Sequence, residues 1–200
     1  MTVLGDRLRE LSGRERAVVD WLAVAGGPVG LGVLGELLPP GQEGDSDEAF
    51  ALFTFPSLAE YEDKVVLIVN VASRCGLAPQ YEKLEELQKT YGDRGFTVLG
   101  FPSNQFLQEL GKNEAIKEYC SLTWGVTFPM FDRVKVNGRG AHPLYKELTQ
   151  TPDATGKAGK VTWNFEKFVI TPGGDIHRFR PKTEPDDPQI VSLIEQSLPA

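Results

Sequence analysis

Cysteine, histidine and basic residues are all scarce in this chain of 200 residues. It contains 2 cysteines and 2 histidines, too few for the disulfide framework of a small secreted domain and without the spacing of a zinc site. Acidic residues outnumber basic ones by 28 to 21, which gives a net charge of -7. We therefore expect neither nucleic acid nor an anionic membrane surface as a partner.

Long apolar runs and targeting signals are also missing. No segment approaches the roughly 20 apolar residues of a membrane-spanning helix. The N-terminal stretch lacks a basic region followed by an apolar run and a cleavage site, so we predict a cytoplasmic protein without membrane insertion. Apolar residues make up 40% of the chain and charged residues 24%, a balance typical of a globular domain with a substantial core.

A stretch rich in proline, glycine and acidic residues divides the chain into two parts. Residues 39–48 disfavour both helix and strand and offer little to bury, which predicts a linker. Residues 1–38 contain apolar residues at roughly helical spacing and predict a short helical extension of unknown role. Residues 49–200 form the predicted main domain.

Strands and helices alternate in the main domain. Continuous apolar runs predict buried strands, and two shorter runs flanking a Pro-Gly-Gly-Asp turn predict a hairpin. The predicted strands are 65–71, 96–101, 167–170 and 176–179. The predicted helices are 80–91, 113–119, 144–148 and 190–198. This order is typical of an α/β, thioredoxin-like fold, in which helices flank a central mixed β-sheet.

Cys75 lies between the first predicted strand and the helix that begins near Pro79. The N-terminus of a helix favours a nearby thiolate, and open α/β sheets place ligands at loops of this kind. Position alone leaves two interpretations open, a reactive thiol or a buried structural cysteine. The residue three positions further on is Ala78, which excludes the Cys-x-x-Cys site of a dithiol oxidoreductase.

Three segments of the main domain carry recognisable motifs. They are residues 70–76 (NVASRCG), 100–106 (GFPSNQF) and 163–168 (WNFEKF). In sequence, order and spacing they resemble the three signatures of the glutathione peroxidase family. The resemblance extends from about residue 58 to the C-terminus, and residues 123–131 resemble bacterial members that use cysteine.

The resemblance implies a thiol peroxidase in which Cys75 attacks the peroxide bond as a thiolate and becomes a sulfenic acid. Gln108, Trp163 and Asn164 would supply neutral N–H donors that stabilise the thiolate and the charge on the leaving oxygen. Neither a cofactor nor a metal is expected. Without the resemblance, the tryptophan would be interpreted as a core residue and the amides as loop or cap residues.

Cys120 directly follows the predicted helix 113–119. In thioredoxin-dependent family members a cysteine at the matching position resolves the sulfenic acid as a disulfide, which thioredoxin then reduces. The resemblance therefore implies hydrogen peroxide or organic and lipid hydroperoxides as substrates, with thioredoxin rather than glutathione as reductant. A disulfide requires Cα atoms within about 7 Å, so we expect residues 113–121 to unwind during turnover.

Several positions depart from the family pattern. Ser103 replaces a frequent third cysteine, while Leu107 and Leu110 replace a common glycine and proline on either side of Gln108. The segment between Leu148 and Trp163 is short, which favours a monomer or a weak dimer. The Asp-Gly turn with which family members begin is absent from residues 49–55. Two other functions remain open: a redox sensor that passes oxidation to a partner, and a binding module that has lost turnover.

Overall fold

The computed structural model describes residue 61 and residues 63–199. Four strands and four α-helices lie in this part of the chain. The strands are β1 (Val65–Val71), β2 (Phe96–Pro102), β3 (Lys167–Ile170) and β4 (Ile176–Phe179). The helices are α1 (Gln80–Tyr91), α2 (Asn113–Trp124), α3 (Pro143–Leu148) and α4 (Pro188–Ser197), and a 3₁₀ turn (Gly92–Arg94) follows α1.

The strands form one mixed sheet in the order β2-β1-β3-β4. β1 pairs in parallel with β2, so that Val71 lies opposite Pro102 at the carboxyl end of both strands. β3 runs antiparallel to β1, and β4 is antiparallel to β3. The predicted central mixed sheet is therefore confirmed, and loops that leave β1 and β2 emerge at the same edge.

Helix packing explains why β1 and β2 consist almost entirely of apolar residues. Every residue of both strands is buried, as expected for strands covered on both faces. α1 buries half of its twelve residues, and α4 buries Ile190 and Ile194 against the same core. α4 begins where the Asp187 side chain accepts a hydrogen bond from the Gln189 N–H, with Pro188 in the first turn.

Helix α2 is longer than the sequence pattern predicted. It continues past residue 119 to Trp124 and ends at Gly125, whose φ of 63° is readily adopted by glycine. Cys120 therefore lies inside the helix, about one turn before its end, rather than at the end that the sequence predicted. The other predicted helices and strands agree with the structure to within two residues at each end.

The predicted N-terminal extension (residues 1–38), the linker (39–48) and the start of the main domain at residue 49 lie outside the described residues. Residues 49–55, whose sequence lacks the family's Asp-Gly turn, lie outside the described residues as well.

Candidate active site

Cys75 lies in the turn that joins β1 to α1. Its side chain is 5% exposed, and the Leu77 N–H donates to Sγ at 3.4 Å. The turn already has helical hydrogen bonding, because the Ala78 N–H donates to the Cys75 carbonyl at 2.9 Å. The sulfur thus lies beside backbone N–H groups at the start of a helix, where a thiolate is stabilised.

Two hydrogen bonds join the loop that follows β2 to the Cys75 turn. The Arg74 N–H donates to the Gln108 carbonyl at 2.8 Å. The Ser73 N–H donates to Glu109 Oε1 at 3.0 Å, in a buried position. These contacts follow from the parallel pairing of β1 and β2, which brings both loops to one edge of the sheet. They fix the main chain of Gln108 next to the residue that precedes Cys75.

A side-chain hydrogen bond joins Gln108 to Asn164. Asn164 Nδ2 donates to Gln108 Oε1 at 2.9 Å, and Asn164 is fully buried. This contact occupies the acceptor end of the glutamine amide and so leaves Nε2 as its available donor end. The structure therefore brings these two predicted site residues together, with Asn164 acting on Gln108.

Asn70, the sixth residue of β1, holds the loop that carries Trp163 and Asn164. Its Nδ2 donates to the Trp163 carbonyl at 3.0 Å, and its Oδ1 accepts from the Glu166 N–H at 3.1 Å. The loop is sharply bent, since Phe165 has a φ of 65°, a conformation that costs energy in a residue with a Cβ atom. Asn70 stands in the first motif, but no pattern in the sequence assigned it a role.

Trp163 is the exposed member of the predicted set. The residue is 42% exposed, and its ring lies against Phe106, with 5.1 Å between ring centroids. Leu107, between Phe106 and Gln108, is 86% exposed and has a φ of 59°. The family's common glycine would adopt this φ without strain, so the leucine is an unusual feature of this chain.

Lys167 supports the loop that carries Trp163 and Asn164. Its side chain is fully buried, and Nζ donates to the Phe165 carbonyl at 2.6 Å and to the Pro181 carbonyl at 3.3 Å. Burial lowers the pKa of Lys167 from 10.5 to about 7, although Glu184 and Glu166 oppose the shift. The lysine thus stabilises the backbone next to Asn164, although burial of its amine is itself unfavourable.

Cys120 belongs to a different element of the fold from Cys75, Gln108, Trp163 and Asn164. It is 1% exposed and lies on α2, in the same apolar cluster as Cys75, and both thiols are free. Burial raises the pKa of the Cys120 thiol to about 11; the Tyr81 hydroxyl lowers it and the charge of Glu109 raises it. In the folded helix Cys120 is therefore an unreactive thiol.

The described residues contain neither a candidate metal site nor a membrane-spanning helix. No group of three or more His, Cys, Asp or Glu side chains in residue 61 and residues 63–199 is placed to hold a metal ion. Within the same part of the chain, every helix is too short or too polar to cross a lipid bilayer.

Comparisons with known proteins agree with the motifs. The profile of the family "Glutathione peroxidase" matches residues 50–149. The chain is 47% identical over 163 residues to the thioredoxin/glutathione peroxidase BtuE of Escherichia coli, an alignment that covers 71% of this chain and 89% of that protein. It is 47% identical over 149 residues to the hydroperoxy fatty acid reductase gpx1 of Synechocystis, covering 71% of this chain and 87% of the relative.

A solved structure identifies the fold more broadly. A thiol:disulfide interchange protein of the thioredoxin family from Chlorobium tepidum superposes with a TM-score of 0.52 at 18% identity, over 74% of this chain and 90% of that one. At this identity the likeness concerns the fold alone, and the fold is thioredoxin-like.

Proposed function

This chain belongs to the glutathione peroxidase family, and we propose that it is a thiol peroxidase whose peroxidatic cysteine is Cys75 and whose resolving cysteine is Cys120. Its substrates are hydrogen peroxide and organic or lipid hydroperoxides. The observation that carries the proposal is the contact between Asn164 Nδ2 and Gln108 Oε1. It leaves the amide Nε2 as a neutral donor on a loop bound to the Cys75 turn.

The first step is attack of the Cys75 thiolate on a hydroperoxide. The sulfur forms a bond to one peroxide oxygen, the O–O bond breaks, and the other oxygen leaves as an alkoxide that takes a proton. Gln108 Nε2 and the Trp163 indole N–H stabilise the thiolate and the oxygen on which charge develops, while Asn164 holds the glutamine in the required orientation. Uncharged donors suit this role because they stabilise both anions without pairing permanently with either.

The second step closes the cycle. The Cys120 thiol attacks the Cys75 sulfenic acid, an S–S bond forms, and the hydroxyl leaves as water with the thiol proton. A dithiol reductant then reduces the disulfide by exchange. We assign thioredoxin to this role, which agrees with the name of the relative thioredoxin/glutathione peroxidase BtuE. We place the enzyme in the cytoplasm as a monomer or weak dimer.

The test is NADPH consumption in the presence of thioredoxin, thioredoxin reductase and a hydroperoxide. Wild-type protein should support turnover, and Cys75→Ser should reduce it to the rate without enzyme. Ser121→Ala, at an exposed position of α2, is the matched control and should retain wild-type activity. Wild-type protein that forms a Cys75–Cys120 disulfide yet does not turn over would replace this proposal with a redox sensor. A Cys75 that does not react with peroxide would leave only a binding role.

A further inference from the structure

Glu109 is a buried carboxylate that the peroxidase chemistry described above does not use. The residue is 6% exposed, and its Oε1 accepts from the Ser73 N–H at 3.0 Å and from the Leu110 N–H at 2.7 Å. Ser73 is two residues before Cys75, and Glu109 directly follows Gln108. The carboxylate therefore joins the loop of the nucleophile to the loop of its donor.

The two hydrogen bonds require an acceptor at this position but not a charge. Both donors use one oxygen, so the amide oxygen of a glutamine would accept the same two hydrogen bonds. Burial raises the pKa of Glu109, against the hydrogen bonds from Ser73 and Leu110 and the positive charge of Arg133.

We propose, on the basis of the function proposed above, that Glu109 is a positioning residue for the Cys75 site. Its Oε1 accepts from the Ser73 N–H of the Cys75 turn, and the residue directly follows Gln108. This buried hydrogen bond therefore holds the turn of the nucleophile against the loop of its donor. The Leu110 N–H, which donates to the same oxygen, fixes the carboxylate in this position.

The positioning role is tested on Cys75 oxidation in a Cys120→Ser background, where no disulfide can form. Glu109→Ala should lower the second-order rate constant with hydrogen peroxide roughly tenfold or more, because the Cys75 and Gln108 loops lose their shared acceptor. Glu109→Gln should retain most of the rate. An unchanged rate in Glu109→Ala, or an equal loss in both variants, would overturn the positioning role. The glutamine variant also decides the matter if the alanine variant does not fold.

Glu85 provides a matched control for the loss of a buried carboxylate. It is 2% exposed, and its carboxylate accepts from the Thr127 N–H at 2.8 Å and the Thr127 hydroxyl at 2.7 Å. Glu85→Ala in the Cys120→Ser background should therefore leave Cys75 oxidation unchanged, and a loss equal to that of Glu109→Ala would contradict a specific role for Glu109. A Cys120→Ser parent that does not react with peroxide at all would overturn the proposed function instead.

Discussion

The turn that carries Cys75 and the helix that carries Cys120 are held in place to different degrees. The Cys75 turn is bonded to the Gln108 loop through Arg74 and Ser73, and Gln108 is bonded to Asn164. Helix α2 fully buries only Ile116 and Cys120 among twelve residues, with Tyr119 and Trp124 partly buried. The proposed nucleophile thus lies in a turn held by hydrogen bonds, whereas the proposed resolving thiol lies on a helix with few buried residues.

Physical magnitudes support this contrast. A fully buried apolar side chain contributes roughly 1.5–3 kcal/mol to stability, and α1 buries four apolar or aromatic residues where α2 buries two. Local opening is expected first in elements with few buried contacts. In the proposed cycle, the chemical step at Cys75 and the opening of α2 therefore belong to different parts of the fold.

Removal of Cys120 gives the largest effect that separates the two regions. Cys120→Ser should oxidise Cys75 at the wild-type rate in a single turnover, because the Cys75 site is unchanged. Its steady-state turnover with thioredoxin should fall roughly a hundredfold or more, since no disulfide forms for exchange. Intact mass after one equivalent of peroxide should show an added oxygen in the variant and the loss of two hydrogens in wild-type protein. A persistent sulfenate in wild-type protein would remove Cys120 from the cycle.

Changes at Gln108 and Asn164 should affect only the Cys75 side of the comparison. Loss of a donor to the developing oxyanion costs roughly 10²-fold in rate, so we expect about this loss of Cys75 oxidation in Gln108→Ala. Asn164→Ala should lose less because it acts through Gln108, and the double variant should resemble Gln108→Ala. Stopped-flow tryptophan fluorescence measures the rates, and the exposed Gln150→Ala is the control. Independent, multiplying losses would show that Asn164 contacts the reacting atoms itself.

The sequence predicted most of what is local and less of what depends on pairing. The continuous apolar run 65–71 predicted β1, and the helical pattern that follows it predicted that Cys75 lies in the connecting turn. The contact of Asn164 with Gln108 spans 56 positions, and Glu109 and Asn70 gain their roles only when strand pairing brings loops together. No period or spacing in a single sequence encodes such contacts.

The length of α2 was predicted too short for a different reason. Residues 120–124 include serine, threonine and tryptophan, which have lower helix propensity than the alanine, glutamate and lysine residues before them. Tertiary packing of Cys120 and Trp124 on the core outweighs this preference. Gly125 was the available signal, since glycine in the left-handed conformation commonly ends a helix.

Hydrogen exchange should display the contrast directly. In the disulfide form, backbone amides of residues 113–124 should exchange roughly tenfold faster or more than in reduced protein, because the helix has opened. Amides of β1 should exchange equally slowly in both forms. Peroxide-treated Cys75→Ser protein should show neither change. Unaltered protection of α2 in protein shown by mass to contain the disulfide would mean that the Cys75 turn moves instead.

The smallest effect concerns the buried amine on the Cys75 side of the comparison. The pKa of Lys167 is about 7 in the folded protein, against 10.5 ordinarily, so between these values the unfolded chain binds a proton that the folded protein does not. Stability therefore rises with pH across this window and the contribution is constant below it. Relative to Lys167→Met, the free energy of unfolding of wild-type protein should increase by about 1–2 kcal/mol between about pH 7.5 and 9.5. Urea denaturation at each pH measures this difference in the free energy of unfolding. A difference independent of pH would mean that Lys167 keeps its charge and that the folded protein tolerates a buried ammonium group beside the Asn164 loop.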